Sequence, residues 1–447
     1  MLRRLFIFIA LVVPLQSFGV ESGSGTSLEE AKRFAVQNNF EVTSLRKALD
    51  ETKAQRARLT SQFLPKIGVA GGADSEIAGE RNIGGVGYVY GNLNLFRGFE
   101  DSYKVSIADL EVEKAEIRLS RAEFRVGLDI EKEFSRHLFT KIAIDLKRKA
   151  LEVNEAQKKI ARKRQESGLV IDSDMMEFDL RDSLLQSDIA SLEQELEAAR
   201  VNLRRLLGEQ IGSAIEPVGE LKHWHLKGSL PEYLKRLQEE SEPVLVASKD
   251  LKIAEIESKL WRSKWMPEVD IETKYGLLPF GDRFEVTTGT SFRGTVLAKF
   301  DLFSGFDTVN QRREGEAKRL KLEAQLRNVT LNATSEVETL YRKIKAIEAR
   351  VHLEEQNETR AKKYHGAVIS EYKRGVRNSA DVRLAAEVLF DAGLRRQNFK
   401  YEFITNRIEL ERLLGSPASA EPMPEKISNL HEDHEFLQKV QPRHPQH

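Results

Sequence analysis

Apolar residues in this chain recur with two different periods. Between 99 and 166, Ile107, Leu110, Ile117, Phe124, Leu128, Leu138, Ile142 and Leu146 are spaced by threes, fours and their sums, with Lys, Arg and Glu between them. That is the period of one buried helix face, and it predicts a helix ~100 Å long at 1.5 Å per residue. Gly168 interrupts the stripe. Asp172 or Ser173 then stands where a cap is needed for a partner helix running to Leu207 and stopped by Gly208. The pattern returns from Phe306, breaks near Gly375, restarts with Ser379 as the expected cap and ends at Gly415. All 12 prolines lie outside 66–216 and 280–416, so nothing in those stretches forbids long helices. Each is read as an antiparallel helical hairpin with a glycine at its tip.

The second period is two. In 86–96, Val89, Gly91, Leu93 and Leu95 alternate with Tyr88, Tyr90, Asn92 and Asn94. In the second half, Val296, Ala298, Phe300 and Leu302 alternate with Thr295, Leu297, Lys299 and Asp301. The strand opening each pair follows suit: Ile67 and Val69 in one, Val269 and Ile271 against Asp270, Glu272 and Lys274 in the other. One apolar face, one polar face and a length of about 9–11 residues fit a membrane-spanning β-strand. The alternative is an ordinary half-buried hairpin, which would need a globular core that the chain hardly offers.

These textures form one long internal repeat. Leu95-Phe96-Arg97-Gly98-Phe99 returns 207 residues later as Leu302-Phe303-Ser304-Gly305-Phe306, and Arg205-Leu206-Leu207-Gly208 returns at the same offset as Arg412-Leu413-Leu414-Gly415. Constant spacing implies packed helices, because one inserted residue turns a helix face by about 100°. The second strand pair carries extra residues around Leu277 to Asp282, as expected of an exposed loop. Ser27-Leu28-Glu29-Glu30 and Ser229-Leu230-Pro231-Glu232 read as capping boxes of shorter helices.

Charge and composition narrow the picture. The chain has 70 basic and 70 acidic residues, which gives no footprint for nucleic acid. It has no cysteine, which excludes disulfides, thiolate metal sites and cysteine nucleophiles. Arg3 and Arg4 followed by the apolar run Leu5 to Leu15 and by Ser17-Phe18-Gly19 read as a signal peptide cut after Gly19. The alternative, a membrane anchor, is too short at roughly 20 residues required. His223, His225 and the histidines of the tail read as plain surface rather than metal ligands. There is no phosphate loop, nucleophile elbow or pair of catalytic acids, so no cofactor and no enzyme activity are expected.

Four strands cannot close a barrel, and an open edge in lipid leaves backbone groups unpaired. Two chains would give a plugged eight-stranded barrel, three a twelve-stranded one with room for a pore. Strand pair, Leu-Phe-x-Gly junction, long hairpin with glycine tip and Leu-Leu-Gly end, in order and twice, resemble the TolC-type outer membrane factor family over about 27–415. The resemblance implies an α+β membrane protein with two repeats per chain: a homotrimer whose 12-stranded outer-membrane β-barrel is continued by a long α-helical barrel in the periplasm. It further implies the outer membrane of a Gram-negative bacterium, contact with its lipid, a periplasmic adaptor (membrane fusion) protein and an inner-membrane transporter. The implied role is the exit duct of a tripartite efflux pump or type I secretion system.

On this reading the chain divides into a signal peptide (1–19), an N-terminal helical segment (20–65), a first strand pair (66–96), a first long hairpin (97–208), a linker and equatorial helix (209–262), a second strand pair (263–303), a second hairpin (304–415) and a mobile tail (416–447). The family's adaptor-docking tips fall on Arg164, Ser167, Gly168 and Leu169, and on Arg374, Gly375 and Val376. Ser167 and Arg374 stand where the family has valine. Its closed gate falls on Tyr372 and Arg377 bonding to Asp174, with Asp381 narrowing the entrance. A second entrance aspartate is replaced by Leu384. Gly98 and Gly305 mark the strand-to-helix junctions. The rival readings are a periplasmic adaptor, which has one hairpin, and a structural coiled-coil protein, which has no such strands.

Overall fold

The computed structural model describes residues 26–75, 83–166, 172–208, 216–222, 224–280, 285–286, 289–418 and 420–422. The expected signal peptide lies outside these residues. In chain order the elements are α1 (Leu28–Asn38), α2 (Phe40–Thr60), β1 (Lys66–Ser75), β2 (Ile83–Arg97), α3 (Glu100–Glu166), α4 (Asp172–Leu207), β3 (Trp224–Leu226), α5 (Leu230–Glu240), α6 (Glu242–Glu257), β4 (Glu268–Leu277), β5 (Pro279–Phe280), β6 (Glu285–Val286), β7 (Ser291–Lys299), α7 (Asp307–Lys373), α8 (Ser379–Leu414) and β8 (Ala420–Pro422).

The repeat is kept to the residue. α3 and α7 are both 67 residues long, and α4 and α8 both 36. Each long helix is flanked by two shorter ones, α2 and α4 along α3, α6 and α8 along α7. The hairpins join through α3 and α8, so the helices lie in the order α4–α3–α8–α7.

The main core sits at mid-height, where α4 and α8 end against the middle of α3 and α7. It contains Val126, Ile130, Phe134, Leu203, Val337, Ile344, Phe403, Ile408 and Leu410, closed by Ala35 and Val42 from α1 and α2 and by Tyr233 and Leu237 from α5. Ser27 and Ser229 form the expected capping boxes with Glu30 and Glu232.

β1, β2, β4 and β7 form one antiparallel sheet in that order. Its register aligns Ile67 and Val69 with Gly91 and Val89, Leu93 with Ile271, and Ile271 with Val296. Most apolar residues of the four strands, Leu297 excepted, therefore share one face, and Ile67, Val69, Phe292 and Val296 are exposed on it. Two details differ from the alternation read in the sequence. A bulge between Asn94 and Phe96 sets Phe96, not Leu95, opposite Val269; such an extra residue bends the strand where it leaves the sheet. β7 ends at Lys299, so Phe300 and Leu302 belong to the connection.

The added residues of the second strand pair are not simply an exposed loop. Leu278 is buried, and β5 pairs with β6. The stretch read as a mobile tail begins docked: β8 pairs with β3, Ala418 is buried, and Arg236 Nη2 donates to Ser416 Oγ at 2.5 Å and to Pro417 O at 2.8 Å. Residues 423–447 lie outside the described residues. Among those described, no helix is long and apolar enough to cross a membrane.

Candidate functional site: hairpin tips and strand-to-helix junctions

The junctions are built alike. Gly98 and Phe99 have φ of 58° and 67°, and Gly305 and Phe306 have φ of 63° and 66°. Two successive left-handed residues kink the chain between strand and helix. Glycine takes this region freely, and phenylalanine does not. The turn folds each phenylalanine back on the one three residues earlier: Phe96 and Phe99 meet edge to face at 5.1 Å, Phe303 and Phe306 at 5.5 Å. This geometry accounts for the repeated Phe-x-Gly-Phe. The second glycine-phenylalanine step was legible only as a repeat, not as a conformation.

At the second tip, α7 ends at Lys373 and Gly375 has φ of 76°. Arg377 Nε donates to Glu371 Oε2 at 3.0 Å, and Arg377 Nη1 lies 3.8 Å from Asp381 Oδ1. The Arg377 pKa is held above its ordinary value by the Glu371 hydrogen bond and by the charges of Asp381 and Glu371. The helix cap is Asn378, not Ser379: Asn378 Oδ1 accepts from Asp381 N at 2.9 Å, and Asp381 Oδ2 accepts from Asn378 N at 3.2 Å. Asp381 is thus the reciprocal partner of a capping box. Arg374 is the C-cap residue of α7 and Val376 is 70% exposed. Tyr372 packs against the small core of Val368, Val382 and Ala385.

At the first tip, Ser167, Gly168 and Leu169 lie outside the described residues, as do the side chains of Arg164 and Asp174. Asp172 is the first residue of α4, and its Oδ1 accepts from Gln165 Nε2 at 2.8 Å across the turn. The pairing of Asp174 with Tyr372 and Arg377 therefore falls outside what is described.

Just behind the tips, charges join the two hairpins. Arg181 on α4 meets Glu387 on α8 at 2.5 Å, Arg383 on α8 pairs with Glu177 on α4, and Arg383 lies 3.7 Å from Glu387. A second tie lies at mid-height: Glu131 takes both Lys32 (2.7 Å) and Arg407, Arg407 also holds Glu411 at 2.7 Å, and Arg412 pairs with Asp129. Burial raises the Glu131 pKa, but the charges of Arg407 and Lys32 outweigh it and hold the group below its ordinary value. Burial keeps Glu411 above its own. Sequence reasoning missed both ties. The one available signal was that Arg383 and Glu387 stand four apart on a helix, as Glu177 and Arg181 do.

Among the described residues no group of three or more His, Cys, Asp or Glu is placed to hold a metal ion. His225, on β3, has its Nδ1 3.7 Å from Glu348 of α7.

Residues 233–416 match the family described as outer membrane efflux protein. No curated protein sequence matches the chain. Among solved structures, the outer membrane protein VceC of Vibrio cholerae superposes with a TM-score of 0.74 at 16% identity, covering 87% of this chain and 96% of its own. The CmeC outer membrane channel of Campylobacter jejuni gives a TM-score of 0.74 at 12% identity over 91% of this chain and 88% of that one. The open state of the MtrE outer membrane channel of Neisseria gonorrhoeae gives 0.71 at 14% identity, with coverages of 87% and 89%. The chain shares their fold.

Proposed function

We propose that this chain, matched to the outer membrane efflux proteins over 233–416 and folded like solved outer-membrane channels, is the outer-membrane exit duct of an export machine. It works as a homotrimer in the outer membrane of a Gram-negative bacterium and reaches into the periplasm. An adaptor docks on the tips around Arg164, Ser167, Gly168, Leu169, Arg374, Gly375 and Val376, and an inner-membrane transporter drives a tripartite efflux pump or type I secretion system. Tyr372, Arg377, Asp174 and Asp381 form the periplasmic gate, and Gly98 and Gly305 turn barrel into tunnel.

The observation that carries this reading is the sheet. Its edge strands β1 and β7 have no outer neighbours among the described residues, and most of its apolar residues, among them Ile67, Val69, Phe292 and Val296, share one exposed face. Open edges in lipid are paired only when further strands complete a closed barrel, and three chains supply twelve. Equal hairpin lengths bring both tips to the same depth, which a shared mouth requires. An adaptor with one hairpin, or a coiled coil without strands, does not accommodate two hairpins joined to this sheet. The test is membrane fractionation followed by planar-bilayer recording. Outer-membrane partitioning with trimeric, conducting particles is expected; a soluble monomer sinks the proposal.

A further inference from the structure

The gapless repeat allows a contact that the single chain lacks to be read from one that it has. α3 and α7, and α4 and α8, correspond residue for residue at an offset of 207. Within the chain the first hairpin meets the second along α3 and α8, with the side chains of α4 reaching those of α8 near the tips. α4 and α7 are left at the outer margins. A ring closed from such repeats uses the same contact again with the roles exchanged: the second repeat of one molecule against the first repeat of the next.

At mid-height the exchange preserves chemistry. Glu131 with Arg407 and Asp129 with Arg412 become Glu338 with Arg200 of a second copy, and Glu336 with Arg205 of that copy. Acid meets base in both, and Glu336 and Arg205 are exposed in the single chain. At the sheet junction the same operation fills a gap. A Cβ on Gly98 would stand 2.5 Å from Ser263 O, whereas one on Gly305 would meet nothing within 4 Å. Ser263 stands four residues before Pro267; its counterpart is Ser61, four before Pro65, which a second copy would bring to Gly305.

Near the tips the exchange changes the chemistry. Glu177 with Arg383 becomes Leu384 with Met176 of a second copy, and Arg181 with Glu387 becomes Val388 with Leu180. All four are exposed in the single chain, Met176 at 69%, Leu180 at 62%, Leu384 at 51% and Val388 at 40%. Large apolar side chains in matched positions on two helices gain by covering one another.

We infer that a second copy of this chain packs its Met176 and Leu180 against Leu384 and Val388. This rests on the export-channel reading and adds to it which residues close the mouth between molecules. The seams around the mouth then alternate, charged within a chain and apolar between chains. Salt screens the partly exposed Arg–Glu pairs and leaves apolar contacts in place. The hairpins of one chain can therefore part at the mouth while neighbouring molecules stay joined.

The chain has no cysteine, so introduced pairs report on their own. Full-length protein in detergent carrying Met176→Cys with Leu384→Cys, and separately Leu180→Cys with Val388→Cys, is treated with a short bis-maleimide. Covalent dimers and trimers on denaturing gels are expected from both, and from Glu177→Cys with Arg383→Cys only a monomer of altered mobility. If the particles are trimeric by light scattering and both apolar pairs give monomer bands alone, the seam assignment is overturned and the channel reading stands. If unsubstituted protein is monomeric in the same detergent, both fall.

Discussion

Arg377 Nε donates to Glu371 Oε2 at 3.0 Å across the turn at Gly375. The arginine expected to hold the first hairpin is thus already engaged within its own hairpin, with Asp381 nearby at 3.8 Å. A latch built on it exchanges partners rather than recruiting a free side chain. Charge-assisted bonds are the stronger class of hydrogen bond, so losing the hydroxyl and the guanidinium together removes the bonds such a latch would rest on. Tyr372→Phe with Arg377→Ala is expected to raise single-channel conductance in planar bilayers. Unchanged conductance would count against a gate at these residues.

Arg181 and Glu387, at 2.5 Å, tie α4 to α8. The pair is partly exposed, so its contribution is about 1 kcal/mol or less, but it sits just behind the tips, where the hairpins would part in the proposed gate. Arg181→Glu is expected to bring like charges together and speed proteolysis at the basic residues of the tips. Adding Glu387→Arg restores the attraction and should return the cleavage rate toward that of the unsubstituted protein. Equal rates in single and double variants would show that the pair does not hold the hairpins.

The large features were legible because each has a period. A stripe at threes and fours gave both hairpins, and alternation gave the four principal strands. The offset of 207 residues tied the halves together. Less was legible where the outcome depends on a three-dimensional neighbour. The cap of α8 fell to Asn378 because its side chain reaches Asp381 N, a choice between adjacent polar residues that spacing does not make. Leu278, next to the small β5–β6 hairpin, is buried, where the sequence shows only extra length. The Glu131–Arg407–Glu411 cluster joins residues about 280 apart in sequence, and nothing in either segment alone announces the other.

Gly98 is held in a left-handed turn with φ of 58° and has Ser263 O where a Cβ would go. Gly98→Ala meets both backbone strain and a carbonyl at 2.5 Å, and a loss of about 2–3 kcal/mol is expected. The measurable outcome is a lower thermal midpoint of the folded protein in detergent. An unchanged midpoint would mean that the segment carrying Ser263 moves aside without cost.

His137 is fully buried on α3, and neither ring nitrogen has a hydrogen-bond partner. Burial chiefly, with Arg200 next, pushes its pKa down to about 4. The unfolded chain takes up the proton near 6.5, so the folded state holds fewer protons between these values. The resulting stability is complete above pH 6.5 and declines as pH falls toward 4, by up to about 3 kcal/mol. His137→Leu keeps the apolar volume and removes the titration. The variant is expected to unfold at lower pH than the unsubstituted protein when helical circular dichroism is followed through an acid titration. Identical acid midpoints would place the acid sensitivity elsewhere, with Glu131 the next group to examine, since its depressed pKa also makes the folded state favour the charged form.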